Sequence, residues 1–308
     1  MSIVVVGSIA FDSVRTPFGT CEHVLGGAAN YFSLAASFFS DVKLVGVVGD
    51  DFPESHLTYL KTRGVDTVGV KRQYGKTFHW QGSYSYDLNE AQTLKTELNV
   101  FNDFSPQLPV HYREAEAVFL ANIDPVLQLQ VLDQVQNPKI VALDTMNYWI
   151  EGKNIELKKA ISRVDILFIN ESEIRQLAKE HNVVKAARAM QALGPKTVVI
   201  KRGEYGAFLF HEESMFMMPA YPLEDLFDPT GAGDTFAGGF LGWLDKKGEL
   251  SFDSLKEAML LGTVMASFVI EKFSFDRMRT LEHRDIKNRY TQLQKLSHGP
   301  SQALELTI

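Results

Sequence analysis

Three features are scarce in this chain of 308 residues, and each scarcity excludes a class of protein. A single cysteine, Cys21, excludes an internal disulfide framework and is typical of a reducing compartment. No apolar run approaches the ~20 residues that a membrane-spanning helix needs. Basic residues number 31 against 38 acidic ones and form no run, which argues against nucleic acid as a main partner. We therefore expect a cytoplasmic protein that binds neither membranes nor nucleic acid.

A secretory signal is not expected either, because Met1 and Ser2 lead directly into the apolar residues 3–6 without a basic segment. His23 and His79 have no companions at the spacing of a metal site. The composition, 45% hydrophobic and 22% charged, is that of an ordinary globular protein. The length suits one large α/β domain with a small appendage.

The most informative stretch is a glycine-rich turn that leads into a helix, at residues 228–239 (DPTGAGDTFAGG). Gly231 and Gly233 tolerate positive φ angles, and the small and apolar residues from Ala232 onward predict a helix. The first N–H groups of such a helix have no helical acceptor and lie at the positive end of its dipole, which favours a bound phosphate. Asp234 repels a resting phosphate but can take a proton from a group that attacks it. The alternative is an aspartate that only caps the helix.

This pattern resembles the C-terminal signature of the PfkB family of carbohydrate and nucleoside kinases, in the ribokinase-like superfamily. The resemblance implies that Asp234 is the catalytic base and that the amides of Gly231, Ala232 and Gly233 form an anion hole. Pro229 stands where the family usually has Thr, Ser or Val.

Two other phosphate-binding loops do not fit the sequence. A P-loop ending at residues 75–77 needs glycine at position 70, which is Val70. A Rossmann fingerprint in the turn needs Gly or Ala at position 236, which is Phe236.

Asp12 follows the predicted buried strand at residues 3–6, beyond the end where open α/β sheets bind ligands. The resemblance implies that Asp12 holds substrate hydroxyls, and a carboxylate can accept two hydrogen bonds from a vicinal diol. The alternative is an aspartate in an exposed turn. Gly26 and Gly27 resemble the family's N-terminal glycine pair, which positions the sugar together with an asparagine, here Asn30. Ribokinase-type chains usually place one more residue between the pair and that asparagine.

The second half of the chain alternates short apolar strands with helical stretches, which predicts right-handed crossovers and a parallel sheet. The strands are expected at residues 117–121, 139–143, 166–169 and 197–200, and the helices near 126–135, 154–161 and 172–193.

Two segments at strand ends resemble the family's nucleotide site. Asn170 and Glu173 match an Asn-x-x-Glu motif that orders Mg²⁺ and phosphate through water, although the same spacing also forms a capping box. Lys201 replaces the threonine of the family's Thr-x-Gly-x-x-Gly loop, so it either adds a cation near the phosphate or faces solvent. Together with Gly203 and Thr230, these residues form the nucleotide site that the resemblance implies.

Residues 65–104 have a different pattern. Phe78, Trp80, Tyr84 and Tyr86 alternate with polar residues, which indicates a half-buried antiparallel strand. With the segments near 14–24 and 93–100 this strand matches the lid of ribokinase-like enzymes. The alternative is a β-meander packed on the main sheet. The aromatic face must be covered by the main domain, the substrate or a partner subunit, and we expect a homodimer through the lid.

The combined prediction is a ribokinase-like three-layer α/β/α fold with a mostly parallel central sheet. It forms a single domain over residues 1–308, with lid segments at about 13–24 and 65–104. The implied activity is ATP-dependent transfer of the γ-phosphoryl group to a hydroxyl of a sugar, nucleoside or similar small molecule. ATP and Mg²⁺ are the implied cofactors, and activation by a monovalent cation is left open.

Two alternatives to this activity are a catalytically silent sugar- or nucleotide-binding regulator and a pyrimidine or pyridoxal kinase of the same superfamily. The presence of Asp234 argues against the regulator. Vitamin-type kinases usually lack the pair Gly26 and Gly27 in combination with an aromatic lid. The tail from about residue 297 has no clear periodicity.

Overall fold

The computed structural model describes residues 2–297, which fold into two β-sheets and flanking helices. The strands in chain order are β1 (Ser2–Val6), β2 (Ala10–Thr16), β3 (Gly19–Gly26), β4 (Asp41–Val48), β5 (Val65–Arg72), β6 (Phe78–Tyr84), β7 (Ala91–Glu97), β8 (Ala117–Leu120), β9 (Ile140–Asp144), β10 (Ile166–Asn170), β11 (Thr197–Lys201), β12 (Ala207–His211) and β13 (Ser214–Met218). The helices are α1 (Ala28–Ala36), α2 (Glu54–Thr62), α3 (Pro125–Leu132), α4 (Asn147–Gly152), α5 (Asn154–Ile161), α6 (Glu171–Ala178), α7 (Val183–Gln191), α8 (Ala232–Lys247), α9 (Phe252–Val269), α10 (Asp276–Arg279) and α11 (His283–Ser297).

The larger sheet has nine strands in the order β13-β12-β11-β10-β9-β8-β1-β4-β5. Neighbouring strands are parallel except at β12, which pairs antiparallel with both β11 and β13. The mostly parallel sheet predicted from the alternating strands and helices is therefore confirmed.

Helices cover both faces of this sheet, which explains why its strands are continuously apolar. Successive residues of a strand point to opposite faces. Ile3 and Val5 accordingly belong to one buried cluster, which includes residues of α1, α8 and α9, while Val4 and Val6 belong to a second cluster with residues of α5, α6 and α7. The three-layer arrangement follows from these two cores.

The smaller sheet, which we call the lid sheet, has the order β3-β2-β6-β7. It contains the segments predicted for it, but two details of the prediction are wrong. β6 is antiparallel to β7 yet parallel to β2, since alternating polarity does not reveal the direction of either neighbour. β5, which the prediction assigned to the lid, is the edge strand of the larger sheet and is half-exposed, which gives it a similar alternation.

Three further expectations can be compared with the structure. The helical stretch at 172–193 is two helices, because Lys179 adopts φ 53° at the end of α6 and Asn182 caps α7. The tail beyond residue 297 lies outside the described residues. Within residues 2–297, no helix combines the length and the apolar character needed to cross a bilayer.

Candidate active site

The glycine-rich turn enters α8 as predicted, with the helix beginning at Ala232. Gly231 has φ +76°, a conformation that L side chains rarely adopt, and a Cβ atom added to it would lie 2.5 Å from the ring of Tyr31. Tyr31 therefore forms the surface on which the turn rests. We call residues 228–234 the phosphate turn.

Two of the three predicted anion-hole amides are available to a ligand. Among the described residues, the N–H groups of Gly231 and Gly233 have no hydrogen-bond acceptor. The N–H group of Ala232, in contrast, donates to the carbonyl oxygen of Pro229 at 3.1 Å. An anion hole built from these amides would have two donors instead of the predicted three, because the turn uses the N–H of Ala232 for one of its own hydrogen bonds.

Asp234 lies in the first turn of α8 and is partly accessible. The surrounding protein and the charge of Asp144 raise the pKa of Asp234 to about 7, although Lys201 opposes this rise. A carboxyl group with this pKa is ready to accept a proton near neutral pH.

Lys201 faces the phosphate turn and not the solvent. Its Nζ atom lies 2.5 Å from Oδ2 of Asp144, and a Cβ atom added to Gly233 would lie 3.0 Å from Nζ. Burial favours the neutral amine, but Asp144 and Glu173 outweigh burial and hold the pKa of Lys201 above its usual value. A charged ammonium group therefore lies beside the phosphate turn.

Asn170 and Glu173 form the capping box that was the structural alternative. The side chain of Asn170 accepts from the N–H of Glu173, and Oε2 of Glu173 accepts from the N–H of Asn170, both at 2.8 Å. Burial raises the pKa of Glu173 to about 7, opposed by Lys201. Its Oε1 atom has no hydrogen-bond donor among the described residues, so the cap leaves one oxygen free.

That free oxygen fits a magnesium site held through water. Residues 2–297 contain no group of three or more His, Cys, Asp or Glu side chains arranged to hold a metal ion. Mg²⁺ commonly keeps several waters and binds one or two carboxylates together with substrate phosphates. One buried carboxylate beside a phosphate turn is consistent with this pattern.

Asp12 lies within β2 and is 5% exposed, so the alternative of an exposed turn is wrong. The N–H of Gly27 donates to its carboxylate. A Cβ atom added to Gly26 would lie 1.9 Å from Oδ2 of Asp12, so only glycine leaves room for the carboxylate here. Burial, with the charges of Asp228 and Asp234, raises the pKa of Asp12 to about 8.

Asn30 does not face the acceptor, contrary to the prediction. It is fully buried, and its Nδ2 donates to the carbonyl oxygen of Gly26 at 3.0 Å. Its Oδ1 lies 3.1 Å from Nε2 of His56, a buried histidine whose pKa falls to about 4 because of burial and the nearby charge of Arg279. Asn30 therefore supports the glycine pair from behind.

Two further residues lie at the candidate site, and the sequence analysis did not single them out as site residues. Tyr31 is 2% exposed, and Asp228 is 1% exposed with its Oδ1 accepting from the N–H of Thr230 at 2.9 Å. Burial raises the pKa of both, and the charges of Asp12 and Asp228 raise that of Tyr31 further. The sequence held a signal for Tyr31, because the usual family spacing from the glycine pair ends at residue 31 instead of 30.

The lid sheet reaches the phosphate turn, and its β6–β7 connection reaches the predicted nucleotide loop. Trp80 lies over Gly82, where an added Cβ atom would come within 2.1 Å of the indole. The hydroxyl oxygen of Tyr84 lies 3.3 Å from the hydroxyl oxygen of Thr230. Thr230, predicted to border the nucleotide, thus turns its hydroxyl toward the lid. Asn89, in the β6–β7 connection, reaches Gly203 of the predicted nucleotide loop, where an added Cβ atom would lie 2.0 Å from its Oδ1.

Comparisons with known proteins identify the family to which the chain belongs. A family model described as pfkB family carbohydrate kinase matches residues 2–279. A cytidine kinase from Thermococcus kodakarensis is 32% identical over 89% of this chain and 97% of its own length. A nucleoside kinase from Methanothermobacter thermautotrophicus is 26% identical over 87% and 89%. A 2-dehydro-3-deoxygluconokinase from Thermoproteus tenax is 25% identical over 78% and 80%.

Solved structures share the fold. The nucleoside kinase of Methanocaldococcus jannaschii, an archaeal member of the ribokinase family, superposes with a TM-score of 0.74 at 20% identity, over 94% of this chain and 98% of that one. A Burkholderia thailandensis nucleoside kinase in complex with ADP and inosine gives a TM-score of 0.79 at 17% identity, over 99% and 100%. The predicted ribokinase-like fold is confirmed.

The chain belongs to the pfkB family of carbohydrate kinases. It is a phosphotransferase that uses an alcohol group as acceptor, and its family supports ATP as the phosphoryl donor.

Proposed function

We propose that this protein is an ATP-dependent nucleoside kinase in which Asp234 accepts the proton of the attacking hydroxyl group. The observation that carries the proposal is the position of Asp234 in the same helical turn as two free amides, with a pKa of about 7. A carboxylate beside a phosphate-binding site weakens the binding of the phosphate by repulsion. We therefore expect one there only if it takes part in the reaction. The nucleoside class is supported by the relative from Thermococcus kodakarensis, which is named a cytidine kinase.

The two halves of the site have separate tasks in this mechanism. Asp12 forms hydrogen bonds with the acceptor's vicinal hydroxyls and fixes the hydroxyl that attacks. The free amides of Gly231 and Gly233, with the ammonium of Lys201, bind the phosphate and stabilise the negative charge that develops during transfer. Because phosphoryl transfer has a loose transition state, most of the catalysis comes from the correct positioning of these groups around the transferring phosphoryl group.

The nucleotide borders Asn170, Glu173 and the loop at Gly203. Glu173 would hold Mg²⁺ through a water at its free oxygen, and the metal would supply positive charge to offset that of the phosphates. Activation by a monovalent cation remains open and is tested by replacing potassium with a bulky organic cation at constant ionic strength.

The test is a substrate panel assayed for ADP release with ATP and excess Mg²⁺. We expect turnover with cytidine or another nucleoside, and a loss of ~10²–10⁴-fold in kcat for Asp234→Asn, with the ATP dissociation constant within a few-fold. Asp245→Asn is the matched control, since Asp245 is a buried aspartate near the opposite end of α8 that bonds Ser40.

Two results decide against parts of the proposal. If Asp234→Asn keeps more than about a tenth of the wild-type kcat, Asp234 is not the base. If nucleosides and nucleotides bind but no member of the panel is phosphorylated, the regulator alternative is favoured.

A further inference from the structure

His56 lies in the first turn of α2, behind the glycine pair. The residue is 2% exposed, and the centroid of its ring lies 5.7 Å from that of Phe52 and 5.5 Å from that of Phe275. Both of its ring nitrogens nonetheless have a polar partner, Arg279 on one side and Asn30 on the other. The ring therefore joins an arginine near the surface to an asparagine in the core.

The hydrogen bonds around His56 have only one possible direction. A guanidinium group can only donate, so Nη2 of Arg279, 3.3 Å away, requires Nδ1 of His56 to accept. The proton of the neutral ring is then on Nε2, which donates to Oδ1 of Asn30 at 3.1 Å. Nδ2 of Asn30 in turn donates to the carbonyl oxygen of Gly26 at 3.0 Å. The low pKa of His56, about 4, keeps the ring neutral at neutral pH.

This direction also fixes the side-chain amide of Asn30. If the amide were rotated by half a turn, its NH2 group would face the N–H of His56 and its oxygen would face the carbonyl oxygen of Gly26. Both contacts would be repulsive, and Asn30 is fully buried, so bulk water would not relieve them. Arg279 thus determines, through one imidazole ring, which way the amide of Asn30 points.

The glycine pair depends on this amide because it has no side chains of its own. Gly27 has φ +98°, a conformation that L side chains rarely adopt, and two adjacent glycines leave the backbone many alternatives. A Cβ atom added to Gly26 would lie 1.9 Å from Oδ2 of Asp12, so the carboxylate lies against the backbone that Asn30 holds. A shift of the pair would therefore displace Asp12.

His56 also supports the phosphate turn, through two aromatic rings. Its ring is stacked with that of Phe275 at an interplanar angle of 24°. The centroid of the Phe275 ring lies 4.4 Å from that of Tyr31, on which the phosphate turn rests at Gly231. One side chain behind the site is thus connected to the backbone at both of its halves.

We propose that His56 is a positioning residue for the phosphoryl transfer. By bridging Arg279 and Asn30, it fixes the glycine pair against the carboxylate of Asp12. This role rests on the proposed function, in which Asp12 binds the acceptor hydroxyls. Because catalysis of phosphoryl transfer depends on placement, a displacement of about 1 Å can lower the rate ~10²-fold. A histidine that only fills the core would affect stability alone.

The first test removes both hydrogen bonds of the ring. His56→Leu should lower kcat/KM for the acceptor roughly 10- to 100-fold. The ATP KM should change little, because leucine keeps much of the bulk that packs on Phe275. His56→Gln retains an amide that can donate to Asn30 and should recover most of the loss. An unchanged kcat/KM in His56→Leu overturns the inference.

His211→Leu is the matched control for this substitution. His211 is also a histidine with a side-chain partner, Oγ1 of Thr197 at 2.9 Å. Thr197 begins β11, whereas Lys201 ends it, so the control lies at the opposite end of that strand from the site. His211→Leu should leave the acceptor kcat/KM unchanged. If it lowers that value as much as His56→Leu does, the effect is general destabilisation and the inference fails.

The second test separates position from stability. His56→Leu leaves Oδ1 of Asn30 buried without a donor, whereas the double variant His56→Leu/Asn30→Leu replaces both partners by apolar groups, which is less destabilising. The double variant should therefore have the higher melting temperature and still a low acceptor kcat/KM, since nothing then holds Gly26. If kcat/KM recovers together with the melting temperature, His56 only stabilises the fold.

The third test needs no substrate. Nitrogen NMR of the wild type with labelled histidine distinguishes the two neutral tautomers from the charged ring, and we expect a proton on Nε2 of His56 only. A proton on Nδ1 contradicts the proposed direction of the hydrogen bonds. Backbone hydrogen exchange at Gly27 should be faster in His56→Leu than in the wild type and in His211→Leu. Equal exchange in all three would show that His56 does not hold the pair.

Failure of the proposed function gives a different result. If the wild type phosphorylates no member of the substrate panel, the kinase assignment fails. The NMR and hydrogen-exchange measurements then still decide whether His56 fixes the glycine pair.

Discussion

The ammonium nitrogen of Lys201 lies 2.5 Å from Oδ2 of Asp144, although the two residues end strands that are not neighbours. β11 and β9 flank β10, and all three are parallel, so their carboxyl ends meet at one edge of the sheet. The side chains are 18% and 3% exposed. A buried pair in this place holds a cation against the phosphate turn before any nucleotide arrives, which reduces the cost of ordering the lysine on binding.

Replacing Lys201 by the family's threonine should weaken ATP binding. A charge-assisted contact is worth about 1.5–3 kcal/mol, so Lys201→Thr should raise the ATP KM roughly 10- to 100-fold. The acceptor KM should change little.

A loss of stability must be separated from this effect, because Lys201→Thr leaves Asp144 buried and unpaired. The double variant Lys201→Thr/Asp144→Asn removes that charge and should recover the melting temperature without recovering the ATP KM. If the double variant also restores the ATP KM, Lys201 has only a structural role.

The pH dependence of kcat should report Asp234. Only the ionised carboxylate can accept a proton, and its pKa is about 7, so kcat should fall as the pH drops through 7. Because Lys201 lowers the pKa of Asp234, Lys201→Thr at saturating ATP should move this acidic limb to higher pH. A profile that is flat between about pH 5 and pH 8 would contradict the assignment.

The raised pKa of Asp12 should lower the free energy of unfolding at alkaline pH. Its pKa is raised from 3.8 to about 8 in the folded state, so folding favours the protonated form. The folded state therefore loses relative stability as the pH rises from about 4 to about 8, where the unfolded chain releases this proton and the folded chain retains it.

Asp12→Asn mimics the neutral carboxyl group and should be more stable than the wild type at pH 8. The difference in melting temperature, variant minus wild type, should grow by ~2 °C or more between pH 5 and pH 8. Thermal denaturation at the two pH values measures it. A difference that is constant or shrinks would mean that Asp12 is ionised in the folded protein throughout this range.

Trp80→Ser should raise the acceptor KM, because the indole lies on the lid face that carries Tyr84 toward the phosphate turn. Quenching of tryptophan fluorescence by the acceptor in the wild type, lost in the variant, would support this placement. An unchanged KM together with fluorescence that ignores the acceptor would remove Trp80 from the site.

The homodimer through the lid remains a prediction. Sedimentation at micromolar protein concentration tests it, with Trp80→Ser as the variant. Trp80 and Tyr84 are half-buried within the chain, and the edge strand β7 is exposed and offers further lid surface for a dimer. A monomer at that concentration rules the dimer out.

Local patterns in the sequence predicted most of the elements correctly. The apolar runs that became β1, β8, β10 and β11 are continuous because helices cover both sheet faces. Gly238, Gly239 and Gly242 disfavour a helix by propensity, but they let α8 pack closely against α1 and α9. The errors occur where a pattern has two explanations. β5 alternates because it is an edge strand, and the same alternation is typical of a lid.

The sequence by itself determined the fold class and the glycine-rich turn that enters α8 and places Asp234 in its first turn, since both show in residues that are close together along the chain. Only the tertiary structure decided that Asn30 points into the core while the ring of Tyr31 packs against Gly231, that Lys201 meets Asp144, and that Asp12 needs Gly26 beside it. These relationships join residues from distant segments. Their burial and pKa values follow from charges and solvent exclusion in three dimensions, which spacing along the chain does not encode.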